Sequence, residues 1–283
     1  MKDIIITAAL SLLFLASYAQ PEIAGKKWKI VKELSDEFKG KKIDESKWNI
    51  DPLKHPNLNW LGREPAIFKR ESFGIKDGYL TIEAGKLPES VKIENNGRSY
   101  DYKYHGGILR SWVTSSIGHY YECRMKMNKT EMGGGFWLCH RGECGDKTEI
   151  DITESVGVLT EETHKWAHRW DQIMHSNSIH RKTACNDEKR DSGATYPSTK
   201  NHEKFYVYGF YWKSATELLF YLDGEYQYTL TPPIPFDNDL YVQFSIEAYN
   251  WNPIPKEGSM VATGTLEERT TLVDYIRVYK LEE

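Results

Sequence analysis

Three carboxylates crowd the run Thr148 to Gly157, TEIDITESVG: Glu149, Asp151 and Glu154. In a pleated strand side chains alternate, so Glu149 and Asp151 face one way while Ile150 and Ile152 face the other. Strict alternation sends Glu154 to the apolar side. One extra residue near Thr153, a β-bulge, returns it to the acidic face. Carboxylates sharing a surface repel, so their pKa values separate, leaving one ionised and another protonated. Glycoside hydrolysis needs such a pair, a nucleophile and a general acid. Five strand steps of ~3.3 Å exceed the ~5 to 5.5 Å between the carboxyls of a retaining pair, so bulge, twist and long Glu side chains must close the gap.

The elements that must position this strand are other strands. Extended runs are predicted at 79–84, 108–113, 119–127, 136–139, 205–212, 217–222, 240–247 and 270–280. In 119–127, Tyr121, Cys123, Met125 and Met127 alternate with Glu122, Arg124 and Lys126, the signature of a half-buried antiparallel strand. Asp223-Gly224 between two apolar runs marks a hairpin. Helical periodicity is scarce, so the fold class is all-β, an antiparallel sandwich. Two long polar segments, 51–64 and 181–203, are either disordered excursions or loops that wall a cleft.

Residues 1–19 carry Lys2, an apolar core and small residues at Ser17 and Ala19, which predicts a signal peptide cleaved near Ala19 and an exported protein. The remaining roughly 260 residues suit one large β domain, expected at 20–283. A net charge of −4 without a long basic run argues against nucleic-acid or membrane partners. Nine Trp, 18 Tyr and 10 Phe point to sheet cores and to platforms for sugar rings. Of the four cysteines, Cys139 and Cys144 are close enough to pair across a short loop, with Cys185 as another candidate; Cys123 falls on an apolar strand face as a core thiol. Zinc at Cys139, His140 and Cys144 is the sharper alternative, but no second ligand cluster completes a metal pattern.

E-I-D-x-x-E, with LSDEF near Ser35, GIL at 107–109, YYECRMKM, GGFWL at 134–138, YGFYW, FYLDGE and VDYIRVYK, resembles glycoside hydrolase family 16 through most of the chain. The resemblance implies a jelly-roll sandwich with an open cleft on its concave face, Glu149 as nucleophile, Asp151 as the residue that tunes it, and Glu154 as acid/base. W-x-G-R-x-P-x-x-F at 60–68 is similar to the agarase and porphyranase branch, which assigns Trp60 and Arg63 to substrate binding. By the same likeness Trp137 and Trp251 are platforms and Glu247 binds sugar. Asn177 and His180 match an M-x-x-N-x-H strand with one extra residue, which leaves His175 as a competitor. Asp274 is expected on the apolar face of the last strand, held by a salt bridge or by a structural calcium; catalysis itself needs no cofactor.

The expected function is an exported, endo-acting, retaining β-glycosidase that cuts β-1,4 bonds in a red-algal galactan, acting as a monomer. Sulfated porphyran is favoured over neutral agarose because His140, Arg141, His164, Lys165, His168, Arg169 and Arg181 flank the carboxylate strand, and Arg suits oxyanions. A β-agarase is the main alternative. A non-catalytic galactan-binding module is disfavoured by the intact carboxylate set, and a laminarinase or lichenase by WLGREP.

Overall fold

The computed structural model describes residues 20–95, 97–145 and 147–282; the expected signal peptide at 1–19 lies outside the described residues. Two sheets stack face to face. The cleft sheet runs, in spatial order, Lys189–Thr195, Met174–His180, Lys147–Val156, Gly133–Arg141, Leu240–Glu247, Arg98–Ser115 and Trp48–Asn49. The opposite sheet runs Glu225–Leu230, Glu217–Leu222, Tyr206–Ser214, His119–Lys126, Thr270–Leu281, Tyr79–Glu83 and Phe73–Lys76, with Trp28–Ile30 along the last strand of the chain. Pairing is antiparallel except for the short Ala66–Phe68 strand beside Arg98–Ser115. The all-β jelly-roll sandwich expected from the sequence is the fold observed.

Alternation builds the core. Phe136, Leu138, Ile150, Ile152 and Phe244 of one sheet meet Tyr121, Cys123, Met125, Phe210 and Ile276 of the other. The opposite faces of the same strands are thereby released, and on the cleft sheet that face carries polar side chains.

Three expectations need correction. Asp274 does not share the apolar face with Ile276 and Val278: the register of its strand shifts between Val273 and Tyr275, and its carboxylate pairs with Lys39 (2.8 Å) and Arg124 (2.7 Å). The salt bridge expected as one of two ways to hold this carboxylate is present, and no cluster of three or more His, Cys, Asp or Glu able to hold a metal occurs among the described residues. Cys144 bonds Cys185, not Cys139, tying the turn after Gly133–Arg141 to the loop after Met174–His180. Cys139 is a buried free thiol, as is Cys123. The polar segment 181–203 is partly a strand: Lys189–Thr195 pairs with Met174–His180 over seven residues and forms the edge of the cleft sheet. Its polarity follows from that edge position, because charged edge strands resist pairing with other chains.

Candidate active site

The Lys147–Val156 strand supplies the three carboxylates, and its register shows how. Asp151 faces Trp137 across the strand pair, but Thr153 faces Phe136, so one residue is extra. That bulge brings Glu154 opposite Gly135, on the same face as Trp137, Asp151 and Glu149. Only glycine fits at 135: a Cβ there would lie 1.8 Å from the Thr153 carbonyl oxygen inside the bulge. The bulge read from the sequence is present at the residue expected.

Glu149 is buried between two cations. Lys147 Nζ lies 2.8 Å from Oε2, and Arg181 donates to both carboxylate oxygens. Burial alone would raise its pKa; the charge of Lys147 and then of Arg181, with hydrogen bonds from both, outweighs burial and sets it at about 2. Asp151 goes the other way. Burial, followed by the charges of Glu149 and Glu154, pushes it well above the carboxylate range, and Asn177 Nδ2 donates to Oδ2 at 2.8 Å. Glu154 is also raised, chiefly by burial and then by the charge of Glu149, against a hydrogen bond with the Tyr249 hydroxyl. One surface thus drives its carboxyl pKa values apart, Glu149 down and Asp151 and Glu154 up, the separation a double displacement at an anomeric carbon requires.

Around them the sequence-assigned residues largely assemble. Trp60, Arg63, Trp137 and Glu247 line the same cavity as the carboxylates. Arg63 bonds Glu247 at 3.2 Å and lies over the Tyr249 ring at 5.3 Å. Gly62 shapes the WLGREP turn at φ +108°, where a Cβ would strike the Ala66 carbonyl oxygen. Asn177 faces the cleft, and its Oδ1 is buried with no partner among the described residues. On the Glu154 side, Trp251 joins Trp166 and Trp170 in an aromatic wall. Arg141 is exposed at the rim of a second cavity next to Glu149, its backbone clamped by Asn57.

His180 is the misplaced assignment. It pairs with Thr148 and packs on Phe236 in the core, so it points away from the cleft. His175, Asn177 and Ile179 occupy the cleft face instead, and His175 Nδ1 is 3.9 Å from Glu154 Oε2. The inserted residue changes which side of the strand the terminal His takes. Sequence reasoning also missed Lys147, Tyr249, Arg110 and Gln243. Lys147 was findable, because alternation puts it on the face of Glu149; so was Arg110, a charge inside the apolar run GILRSWV. Tyr249 carried no signal, since a loop delivers it.

Residues 28–281 match the family described as Beta-porphyranase A-D, GH16 domain. The chain is 40% identical over 269 residues to β-porphyranase B of Zobellia galactanivorans, covering 92% of this chain and 87% of that one. It is 26% identical over 288 residues to a β-agarase of Phocaeicola plebeius, covering 91% and 86%. The crystal structure of porphyranase B from Zobellia galactanivorans superposes with a TM-score of 0.83 at 39% identity, covering 93% of this chain and 97% of that chain. That of the β-porphyranase BpGH16B from Bacteroides plebeius gives 0.77 at 26% identity, with coverages of 94% and 96%.

Proposed function

Because this chain belongs to the glycoside hydrolase family 16 β-porphyranases, we propose that it is an exported, endo-acting, retaining β-porphyranase. Glu149 attacks the anomeric carbon while Glu154 protonates the leaving oxygen, and Asp151, hydrogen-bonded through Asn177, orients and tunes the pair. Glycosylation removes the charge of Glu149. That charge helps hold Glu154 protonated, so its loss lowers the Glu154 pKa and converts the acid into the base that activates water.

The sulfated substrate is supported by one observation: a basic cavity of about 200 Å³ beside Glu149 whose deepest cation is unneutralised. Arg110 is 1% exposed and donates to Gln243 Oε1 (2.9 Å) and to the Pro52 carbonyl (3.4 Å); among the described residues no carboxylate pairs with it. Burial, and to a lesser degree nearby Arg141, lowers its pKa to about 10. Gln243 Nε2, beside it, is buried without a partner. A buried cation and an orphaned donor both carry a desolvation cost; a sulfate ester would offset both, whereas a neutral hydroxyl could accept from the donor but would leave the charge of Arg110 uncompensated.

The test compares wild type with Arg141→Ala and Arg110→Met on porphyran and on neutral agarose. Wild type is expected to cut porphyran faster. Each variant should lose about 1.5 to 3 kcal/mol of transition-state binding on porphyran, and much less on agarose. Faster cleavage of agarose by the wild type would sink the sulfate reading and leave the carboxylate roles standing.

A further inference from the structure

His175 belongs to none of the roles above, yet it is the side chain of the neighbouring strand placed directly opposite Glu154. Its ring packs on Trp170 with centroids 4.4 Å apart, which fixes the imidazole plane. Asn177 Nδ2 is committed to Asp151 Oδ2 at 2.8 Å, and its second hydrogen is directed at His175 Nδ1, 3.3 Å away. An amide nitrogen has no lone pair to offer, so Nδ1 must be the acceptor and the ring proton belongs on Nε2. The same Nδ1 lies 3.9 Å from Glu154 Oε2, a separation of the kind that tightens in a Michaelis complex.

We propose that His175, neutral and protonated on Nε2, is a positioning residue that holds Glu154 in its acid form by presenting the Nδ1 lone pair to the carboxyl, which shares that single acceptor with the Asn177 amide. A lone pair facing a carboxylate is repulsive, and facing a carboxylic acid it accepts the proton's hydrogen bond. The other groups around Glu154 divide by sign. Glu149 on its own strand favours the protonated state, as do Asp151 beside it and Glu247 two strands over when they are ionised; Arg63 and Arg181 oppose it, and Tyr249 donates to the carboxylate. Were His175 charged it would join the opposing cations. Burial, with the charge of Arg190 on the edge strand, pushes its pKa down to about 4 and prevents this.

The inference rests on the glycosidase reading, and its experiment separates the two. Nitrogen-15 NMR of the wild-type protein at neutral pH is expected to show His175 as the neutral Nε2–H tautomer; an imidazolium or an Nδ1–H tautomer overturns the proposal, whatever the substrate. On whichever galactan the wild type cleaves, His175→Phe keeps the ring on Trp170 but removes the acceptor, and should move the alkaline limb of kcat/KM down by at least about 0.5 pH units. His175→Gln, whose Oε1 can accept, should restore the limb to within about 0.2 units. A folded Phe variant that loses rate uniformly, with its limb unmoved, would show that the ring only packs. Inactivity of the wild type on both porphyran and agarose would refute the proposed function, while the tautomer would still decide the role of His175.

Discussion

Glu149 and Glu122 are both strand glutamates on faces that the sandwich core does not use, one on each sheet, and both are buried. Glu149 sits in an open cleft between Lys147 and Arg181, and its pKa falls to about 2. Glu122 is 1% exposed on the opposite sheet, beside a cluster of Trp28, Tyr120, Tyr211, Tyr221 and Tyr279. Its neighbour across the strand pair, Arg277, is taken by Glu37 at 2.7 Å, so its partner is the Tyr120 hydroxyl at 3.3 Å. Burial, little relieved by that bond, raises Glu122 to about 7. Similar burial thus goes with carboxyl pKa values moved in opposite directions. The cations decide, and a carboxylate kept ionised without solvent is what a nucleophile requires.

Breaking the cleft side of this comparison should give the largest effect. Glu149→Gln preserves shape and removes the nucleophile, so hydrolysis should fall below about a thousandth of wild type while oligosaccharide binding, measured by calorimetry, persists. Residual activity above that level, with contamination excluded, would place the nucleophile elsewhere. Lys147→Met leaves Glu149 with Arg181 alone. Its pKa should rise, moving the acid limb of kcat/KM up by about one pH unit and reducing activity at that limb by about tenfold. An unmoved limb would mean that Arg181 suffices.

The smallest effect concerns stability on the opposite sheet. The folded pKa of Glu122 lies above its unfolded value, so its contribution is fully present below about pH 4.3 and is lost as pH rises through about 7. Glu122→Gln should therefore unfold like wild type at pH 4 and be more stable at pH 8 by about 1 to 3 kcal/mol in urea titrations. Equal stability at both pH values would mean that Glu122 is solvated or paired in solution.

Much of the site was legible because strand period and residue type carry it together. TEIDITES specifies the acidic face, and three carboxylates on one face already demand a bulge. Glu217–Leu222 and Leu240–Glu247 were readable to the residue for the same reason: their apolar residues alternate into a core. Lys189–Thr195 was not, since an exposed edge strand has no apolar face to announce it. Asp274 and His180 failed through register, where one inserted or bulged residue changes the face of everything beyond it.

The sequence alone determined the fold class, through alternation in many separate runs, and the carboxylate set, through near neighbours along one strand; the glycosidase chemistry followed from that set together with the family 16 resemblance. Tertiary structure decided the electrostatics. Arg181 reaches Glu149 from the end of the adjacent strand, Tyr249 reaches Glu154 from a loop, and Arg110, three strands over from the nucleophile, pairs with no carboxylate among the described residues. Charge states follow from distance and solvent exclusion between residues far apart in the chain, and those arise only when the sheets close.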